Sequence, residues 1–378
     1  MAKRIAIVGY GNWASTIAKV VGENVQRYAE FDTQVAMWVR PKDVNGRTLT
    51  DIINEDHENV LYLPSVKLPT NVVAYNCIKE TVQNADILIF ATPHQMVQDV
   101  CTEIKDHVLS EAVGISLIKG IATKPDGSAS AVSDEIRNHL NIDVSVLMGA
   151  NLANEIAAGE FAEATVGCIH PEHGEMFQRM FDTDNFRINV RMFDTDNFRI
   201  NVVRDVYTVE MCGALKNIIA CAVGFAEGLR LGSNAKAALI RLGMHEMIKF
   251  VETFYPGSDL KTFFESCGLA DLIATCSGGR NKRVCEEFVK SDKALHEVER
   301  ELLKGQSAQG PPTASEIYGI LTDVGLEEAF PIFTVVHRIC TRQVPPSELV
   351  KCLQNHTLHQ TVQNRDDTSS NSSGVSLE

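Results

Sequence analysis

The chain has 378 residues and a formal net charge of −14. That length is enough for two domains with sizeable cores. The acidic balance argues against nucleic acid as a partner, since phosphate backbones want a basic face, but a few local cations would still serve a small anionic substrate. Ten cysteines, scattered from Cys77 to Cys352, form no CxxC or metal-ligand spacing. They point to a reducing, cytoplasmic setting with no disulfide frame and no metal. Strand-like sequence from Lys3 leaves no room for a signal or transit peptide.

In chain order, Arg4-Ile-Ala-Ile-Val8 predicts a short strand and Thr16 to Val25 a helix. Between them lies Gly9-Tyr10-Gly11-Asn12-Trp13-Ala14, a GxGxxA pattern. Gly9 permits a tight turn, Gly11 lets a pyrophosphate reach backbone N–H groups at the helix N-terminus, and Ala14 allows close helix–strand packing. Alone the pattern is often only a glycine turn; between a strand and a helix it predicts dinucleotide binding. A second strand, Gln34 to Val39, ends at Arg40, where dinucleotide folds often place an acid for the ribose hydroxyls. Arg40 suits adenine stacking, a 2′-phosphate or plain solvent, so NAD and NADP both stay open.

Short apolar runs continue at Val72–Tyr75, Ile87–Phe90, Val113–Ile118 and Val144–Met148. Such runs fit a mostly parallel sheet covered on both faces, with ligands at the carboxyl ends of its strands. Those ends lead into Pro93-His94-Gln95, Lys119-Gly120 and Gly149-Ala-Asn151. Lys119 is a candidate active-site cation, although a lysine after a strand is more often solvated. His94 reads as a loop hydrogen-bonder rather than an acid or base.

Residues 179–190 are followed by an identical copy, 191–202. Two identical units do not make a solenoid. One copy supplies a strand, Phe-Arg-Ile-Asn-Val; the other has to bulge out or pair beside it. The organisation expected is a cofactor-binding domain over residues 1–202, a helical domain over 203–357 and a polar disordered tail over 358–378.

The second half turns helical. From Glu210 to Ala226 only Lys216 is charged inside an apolar run. It shares a helix face with Gly213 and Ala220, small enough for something to approach closely. A buried ammonium is costly unless paired and is the usual setting for a proton-transferring lysine. The bland alternative is a lysine whose stem lies on apolar surface. The run is shorter than a membrane span and carries the lysine near its middle. A helix follows from Asn234 to Phe254, with Ser233 as its N-cap. Asp271, a lone acid in an apolar stretch, shares a face with Thr275 and suits either a buried ammonium or a helix N-terminus. Ser277-Gly-Gly-Arg280-Asn281-Lys-Arg283 reads as a glycine-hinged basic turn fit for phosphate, and Gly305 to Pro312 as a loop.

Taken together, these stretches resemble the eukaryotic cytosolic NAD-dependent glycerol-3-phosphate dehydrogenases from Lys3 to about His356. The resemblance is carried by Gly9-Tyr-Gly-Asn-Trp-Ala14, His57-Glu-Asn-Val60 with Tyr62-Leu-Pro64, Pro93-His-Gln95, Ile115 to Gly120, Leu147-Met-Gly-Ala-Asn151, Cys212 to Asn217, Gly278-Gly-Arg-Asn281 and Cys352-Leu-Gln-Asn355. It implies a Rossmann-type domain followed by an all-helical domain, a homodimer, no membrane partner, and reduction of dihydroxyacetone phosphate by NADH. By motif, Lys216 matches the proton donor, Lys119 and Asn217 groups around the substrate oxygen, and Asp271 and Thr275 their supports. Arg280 and Asn281 match the phosphate clamp. Gly9 to Ala14, Ala153, Arg280 and Gln309 match cofactor contacts. The chain departs from the family's pattern at Ala14, where glycine is common, and at Arg40 and Met96 in the cofactor pocket, where an aromatic and phenylalanine are usual. The extra twelve-residue copy has no counterpart, and removing it restores the family's spacing up to Lys216. Two rival readings are a related NAD(P)H reductase of another phosphorylated carbonyl compound and a non-catalytic dinucleotide-binding protein.

Overall fold

A computed structural model describes residues 2–123, 129–181, 198–303, 306–356 and 358. Most of the tandem repeat (182–197), Gly305 and all of the tail except Leu358 lie outside these. The chain divides into two compact units. The first holds Met1–Lys124, Ala129–Ala214 and Val251–Asp271; the second holds Leu215–Phe250 and the residues from Leu272 onward.

The first unit is built on an eight-stranded sheet: β1 Lys3–Val8, β2 Phe31–Trp38, β3 Val72–Tyr75, β4 Ile87–Phe90, β5 Val113–Ser116, β6 Asp143–Ala150, β7 Ala162–Gly167 and β8 Phe198–Val203. The spatial order is β3-β2-β1-β4-β5-β6-β7-β8. All neighbours run parallel except β6 and β7. This is the doubly wound arrangement, in which ligands meet the carboxyl ends of the strands. Register lines up Val8, Phe90, Ser116 and Val146 across the sheet. Gly9, Ala91, Leu117 and the end of β6 therefore share one edge.

The apolar strands alternate between two cores. Ile5, Ile7, Ile87 and Ile89 pack on one face; Ala6, Val8, Leu88 and Phe90 pack on the other. Burying each large side chain stabilises by roughly 1.5–3 kcal/mol. Double-sided burial is why Ile87–Phe90 is legible to the residue as a run of one polarity. β2 begins earlier than the sequence predicts, at Phe31, and β5 ends earlier, at Ser116. The second repeat copy supplies β8, whereas the first contributes Arg179 to Phe181 to a helix.

The helices needed below are α1 Asn12–Asn24, α2 Leu49–Asp56, α3 Val132–Leu140, α4 Ala153–Ala157, α5 Pro171–Phe181, α6 Val206–Gly228, α7 Ser233–Phe254, α8 Asp271–Gly278, α9 Arg280–Lys290, α10 Gly310–Asp323 and α11 Pro331–Cys340. α6 is longer than the apolar run suggests. By length and composition it is long enough to cross a membrane, yet all of its most apolar stretch is buried inside the protein. Within the second unit its burial is close. A Cβ at Gly224 would lie 2.4 Å from the carbonyl oxygen of Lys282, and one at Gly228 would lie 2.7 Å from that of Glu286. These glycines let α9 pack backbone to backbone on α6. Gly243 of α7 makes room for the side chain of Ile219. α7 includes Ser233, so the predicted cap is the first helical residue.

Buried acids tie down helix ends. Glu246 accepts the Ile332 and Phe333 N–H groups at the start of α11, at 2.7 and 3.0 Å, and meets His356 Nε2 at 3.1 Å. Burial raises its pKa. The ten cysteines are free thiols. Burial pushes Cys101 up to about 12 and Cys168 to about 11, as expected of inert core thiols.

Candidate active site

In the first unit the turn after β1 is shaped by its glycines. Gly9 has φ +150°, and a Cβ there would sit 2.6 Å from the carbonyl oxygen of Ala91. The demand is for close approach as much as for turning. Gly11 caps α1 in an extended conformation with no side-chain cap, and no acid stands in the first turn. A Cβ on Gly11 would meet no atom within 4 Å. The backbone N–H groups at this helix start are thus open to an anion, and the turn fits a dinucleotide pyrophosphate. Ala14 is fully buried and would lie 3.4 Å from a Cβ on Gly9, so a small residue is required there.

Two asparagines hold the turn. Asn59 is fully buried; its Nδ2 donates to the Tyr10 carbonyl and to Ser15 Oγ, both at 2.8 Å, and its Oδ1 accepts the Tyr62 N–H. Asn12 Nδ2 donates to the Tyr62 carbonyl at 2.7 Å and to Asn154 Oδ1 at 2.8 Å. Thr16 Oγ1 donates to the carbonyl of Ala153, the first residue of α4, at 3.1 Å. Tyr10 stands edge-on to Trp38 and Tyr62. Trp13 is half-buried, Arg40 is exposed past the end of β2, and Met96 is half-buried at the end of the short turn His94–Met96. His94 is buried against Gly120, where a Cβ would meet its ring at 2.6 Å. Asn59 was quoted in sequence only as part of a motif; no periodicity marks what it holds.

Beyond β5, Lys119 Nζ donates to Asp271 Oδ2 at 2.8 Å and to the Gly149 carbonyl at 3.0 Å. The Asp271 side chain is 3% exposed and that of Lys119 23%. A carboxylate so buried needs such a partner. Asp271 also opens α8, so the two alternatives read from sequence, ammonium partner and helix N-terminus, hold together.

In the second unit Lys216 is 4% exposed, and its Nζ donates to Thr275 Oγ1 at 2.6 Å. The next residue, Asn217, accepts from Asn281 Nδ2 at 2.9 Å, and Asn281 Oδ1 accepts the Gly310 N–H at 2.8 Å. Both asparagines are buried. A Cβ on Gly310 would lie 2.7 Å from the Asn217 carbonyl oxygen, so the start of α10 presses on α6. Arg280 is exposed, and its Nη1 contacts Gln306 Oε1 at 3.4 Å. Crowding by protein pulls the Arg280 pKa down from its ordinary value, but its open surface keeps the guanidinium charged. Gln309 precedes α10; its Nε2 donates to Ser307 Oγ at 2.8 Å, and its Oε1 is buried without a partner among the described residues.

Gly213 admits the close approach its size implies: a Cβ there would sit 2.5 Å from the Met148 sulfur. One sequence reading needs correction. The basic stretch after Gly279 is not a turn. Gly279 is extended between two helices, and Arg280 and Asn281 form the first turn of α9. That places the guanidinium beside a helix N-terminus, a better anion site than a solvated loop.

Two family models match, described as the N-terminus and the C-terminus of NAD-dependent glycerol-3-phosphate dehydrogenase, over residues 4–174 and 205–351. The chain belongs to the NAD-dependent glycerol-3-phosphate dehydrogenases. It is 51% identical over 355 residues to the cytoplasmic glycerol-3-phosphate dehydrogenase (NAD(+)) of Drosophila ezoana, covering 94% of this chain and 98% of that one. It is also 51% identical over 357 residues to the glycerol-3-phosphate dehydrogenase 1-like protein of Homo sapiens, again covering 94% and 98%. The solved structure of Plasmodium falciparum glycerol-3-phosphate dehydrogenase superposes with a TM-score of 0.85 at 40% identity, covering 94% of this chain and 96% of that one. As an NAD-dependent glycerol-3-phosphate dehydrogenase, the chain is an oxidoreductase with NAD as cofactor, interconverting dihydroxyacetone phosphate and glycerol 3-phosphate. The first unit's sheet is the Rossmann-type sheet of this family.

Proposed function

We propose that Lys216 supplies the proton to the C2 oxygen of dihydroxyacetone phosphate, and that Lys119 stabilises the charge growing on that oxygen. The reading rests chiefly on one observation: an ammonium 4% exposed on an apolar helix and directed by Thr275 Oγ1 at 2.6 Å. A charge held away from water acts more strongly on a nearby oxyanion, and such a contribution is often worth several kcal/mol. Asp271 fixes the Lys119 ammonium. Thr275 directs the Lys216 ammonium. Arg280 and Asn281, at the start of α9, take the substrate phosphate, and Asn217 steadies Asn281 from behind. Anchoring the phosphate positions the ketone and contributes binding energy to the transition state.

The dinucleotide, held by Gly9, Tyr10, Gly11, Asn12, Trp13 and Ala14 with Arg40, Met96, Ala153, Arg280 and Gln309 as further contacts, supplies the hydride when bound. In this reading residues 1–202 carry the cofactor and residues 203–357 the substrate, and the protein works as a cytoplasmic homodimer. The test is loss of NADH absorbance when dihydroxyacetone phosphate is added to the purified protein. Steady consumption of NADH, with NADPH a poorer substitute, is expected. No consumption, or a preference for another phosphorylated ketone, would sink the proposal.

A further inference from the structure

Asn151 follows β6, in the stretch Gly149-Ala-Asn151. Its carboxamide oxygen and nitrogen are both buried, and neither has a hydrogen-bond partner. Among the described residues it is the one side chain with both ends in this condition. An amide shut away from water with nothing to bond is costly, and native proteins seldom keep one without a use. The residue as a whole is only half-buried, so rotation about its side-chain bonds is enough to present the amide outward.

Its backbone says where that use lies. The Asn151 N–H donates to the Gly149 carbonyl at 2.8 Å. The same carbonyl oxygen accepts Lys119 Nζ at 3.0 Å. The orphaned amide thus rides on a residue that shares one oxygen with the ammonium of Lys119, at the carboxyl edge of the sheet. An amide with donors and an acceptor to spare matches a hydroxyl group, which can both accept and donate.

Resting on the proposed function, the phosphate of dihydroxyacetone phosphate goes to Arg280 and Asn281, and the C2 oxygen to the two lysines. The C1 hydroxyl is the polar group left over. We infer that Asn151 binds the C1 hydroxyl and is the residue by which the enzyme rejects the deoxy analogue, hydroxyacetone phosphate, which carries a methyl group there. A site built to bond a hydroxyl disfavours the analogue without it, because its own polar groups are then left unpaired. The full effect in such sites reaches 10⁴-fold or more, but this amide is already unpaired at rest, so about 100-fold is the expectation.

The experiment measures kcat/KM with NADH for both ketones in the wild type, Asn151→Ala and Asn151→Ser, with NADH affinity by fluorescence titration and thermal melts as controls. The wild type should prefer dihydroxyacetone phosphate by about 100-fold. Asn151→Ala should lose most of that preference by losing activity on dihydroxyacetone phosphate alone, with NADH affinity unchanged. An equal loss on both ketones would overturn the inference, as would weakened NADH binding with the preference intact, which would give the amide to the cofactor. If Asn151→Ala does not melt as a folded protein, the same ratio in Asn151→Ser decides. A wild type that turns over neither ketone would instead overturn the proposed function on which this inference stands.

Discussion

Lys216 and Lys119 carry the same charge in different settings, and their substitutions should fail differently. Lys216 is buried against a neutral hydroxyl, Thr275. Removing it deletes the proposed proton donor. Lys216→Ala should lower kcat by roughly 10³-fold, as loss of a positioned general acid does, while NADH titrates with its former affinity. Retained turnover would remove Lys216 from the chemistry. Lys119 faces a carboxylate that is 3% exposed. Lys119→Met removes one partner of a buried ion pair, and breaking such a pair costs about 3–5 kcal/mol. The melting temperature should drop sharply and recover in the double variant with Asp271→Asn. A double variant as unstable as Lys119→Met would show that the pair does not hold the fold. Individual residues were legible where chemistry restricts the choice: Gly9 because no other side chain fits, Lys216 because a lone cation in an apolar run stands out. The Lys119–Asp271 pair was implied only by the family resemblance, because 152 positions separate the two residues and no local period links them. Asn151 was invisible for another reason: composition cannot display what a side chain fails to touch.

At the scale of elements, burial decides how much is readable. A strand covered on both faces shows as an unbroken apolar run, so β4 was read to the residue. α6 is apolar on every side, so its pattern has no direction and its ends were misjudged. On the same helix the close approach at Gly213 was legible, but only the packing reveals that Met148 makes it. Farther up α6, Glu210 is fully buried and accepts from the Ser133 N–H at 2.9 Å and from Ser133 Oγ, in the first turn of α3. Burial raises its pKa to about 7, from an ordinary 4.5. The folded state therefore holds a proton that the unfolded chain releases between these values. Stability from this group is complete below about 4.5 and is lost as pH climbs to about 7, by about 3 kcal/mol in all. The urea midpoint of the wild type should fall between pH 5 and pH 7.5 by more than that of Glu210→Gln, in which the neutral amide still accepts from Ser133. Parallel curves would mean that Glu210 does not titrate in this range.

Over the whole molecule, the tandem copy is the feature that family resemblance does not cover. α5 uses only Arg179 to Phe181 of the first copy, and β8 begins with Phe198 of the second. Because the copies are identical, deleting either gives the same protein, with residues 182–185 left to join helix to strand. Connections of two to six residues are ordinary between such elements. The shortened chain should fold, bind NADH and turn over dihydroxyacetone phosphate at least as well as the parent, with an equal or higher melting temperature. Loss of folding on deletion would show that the second copy has become structural.

The buried apolar stretch of α6 has a bearing on how the protein dies. The helix is long and apolar enough to cross a bilayer, and the folded state buries all of its most apolar stretch. Any opening wide enough to release this segment offers neighbouring chains a long greasy rod before it can be tucked back. Heat inactivation is then a race that clumping wins, its apparent midpoint moving with heating rate and protein concentration rather than marking an equilibrium.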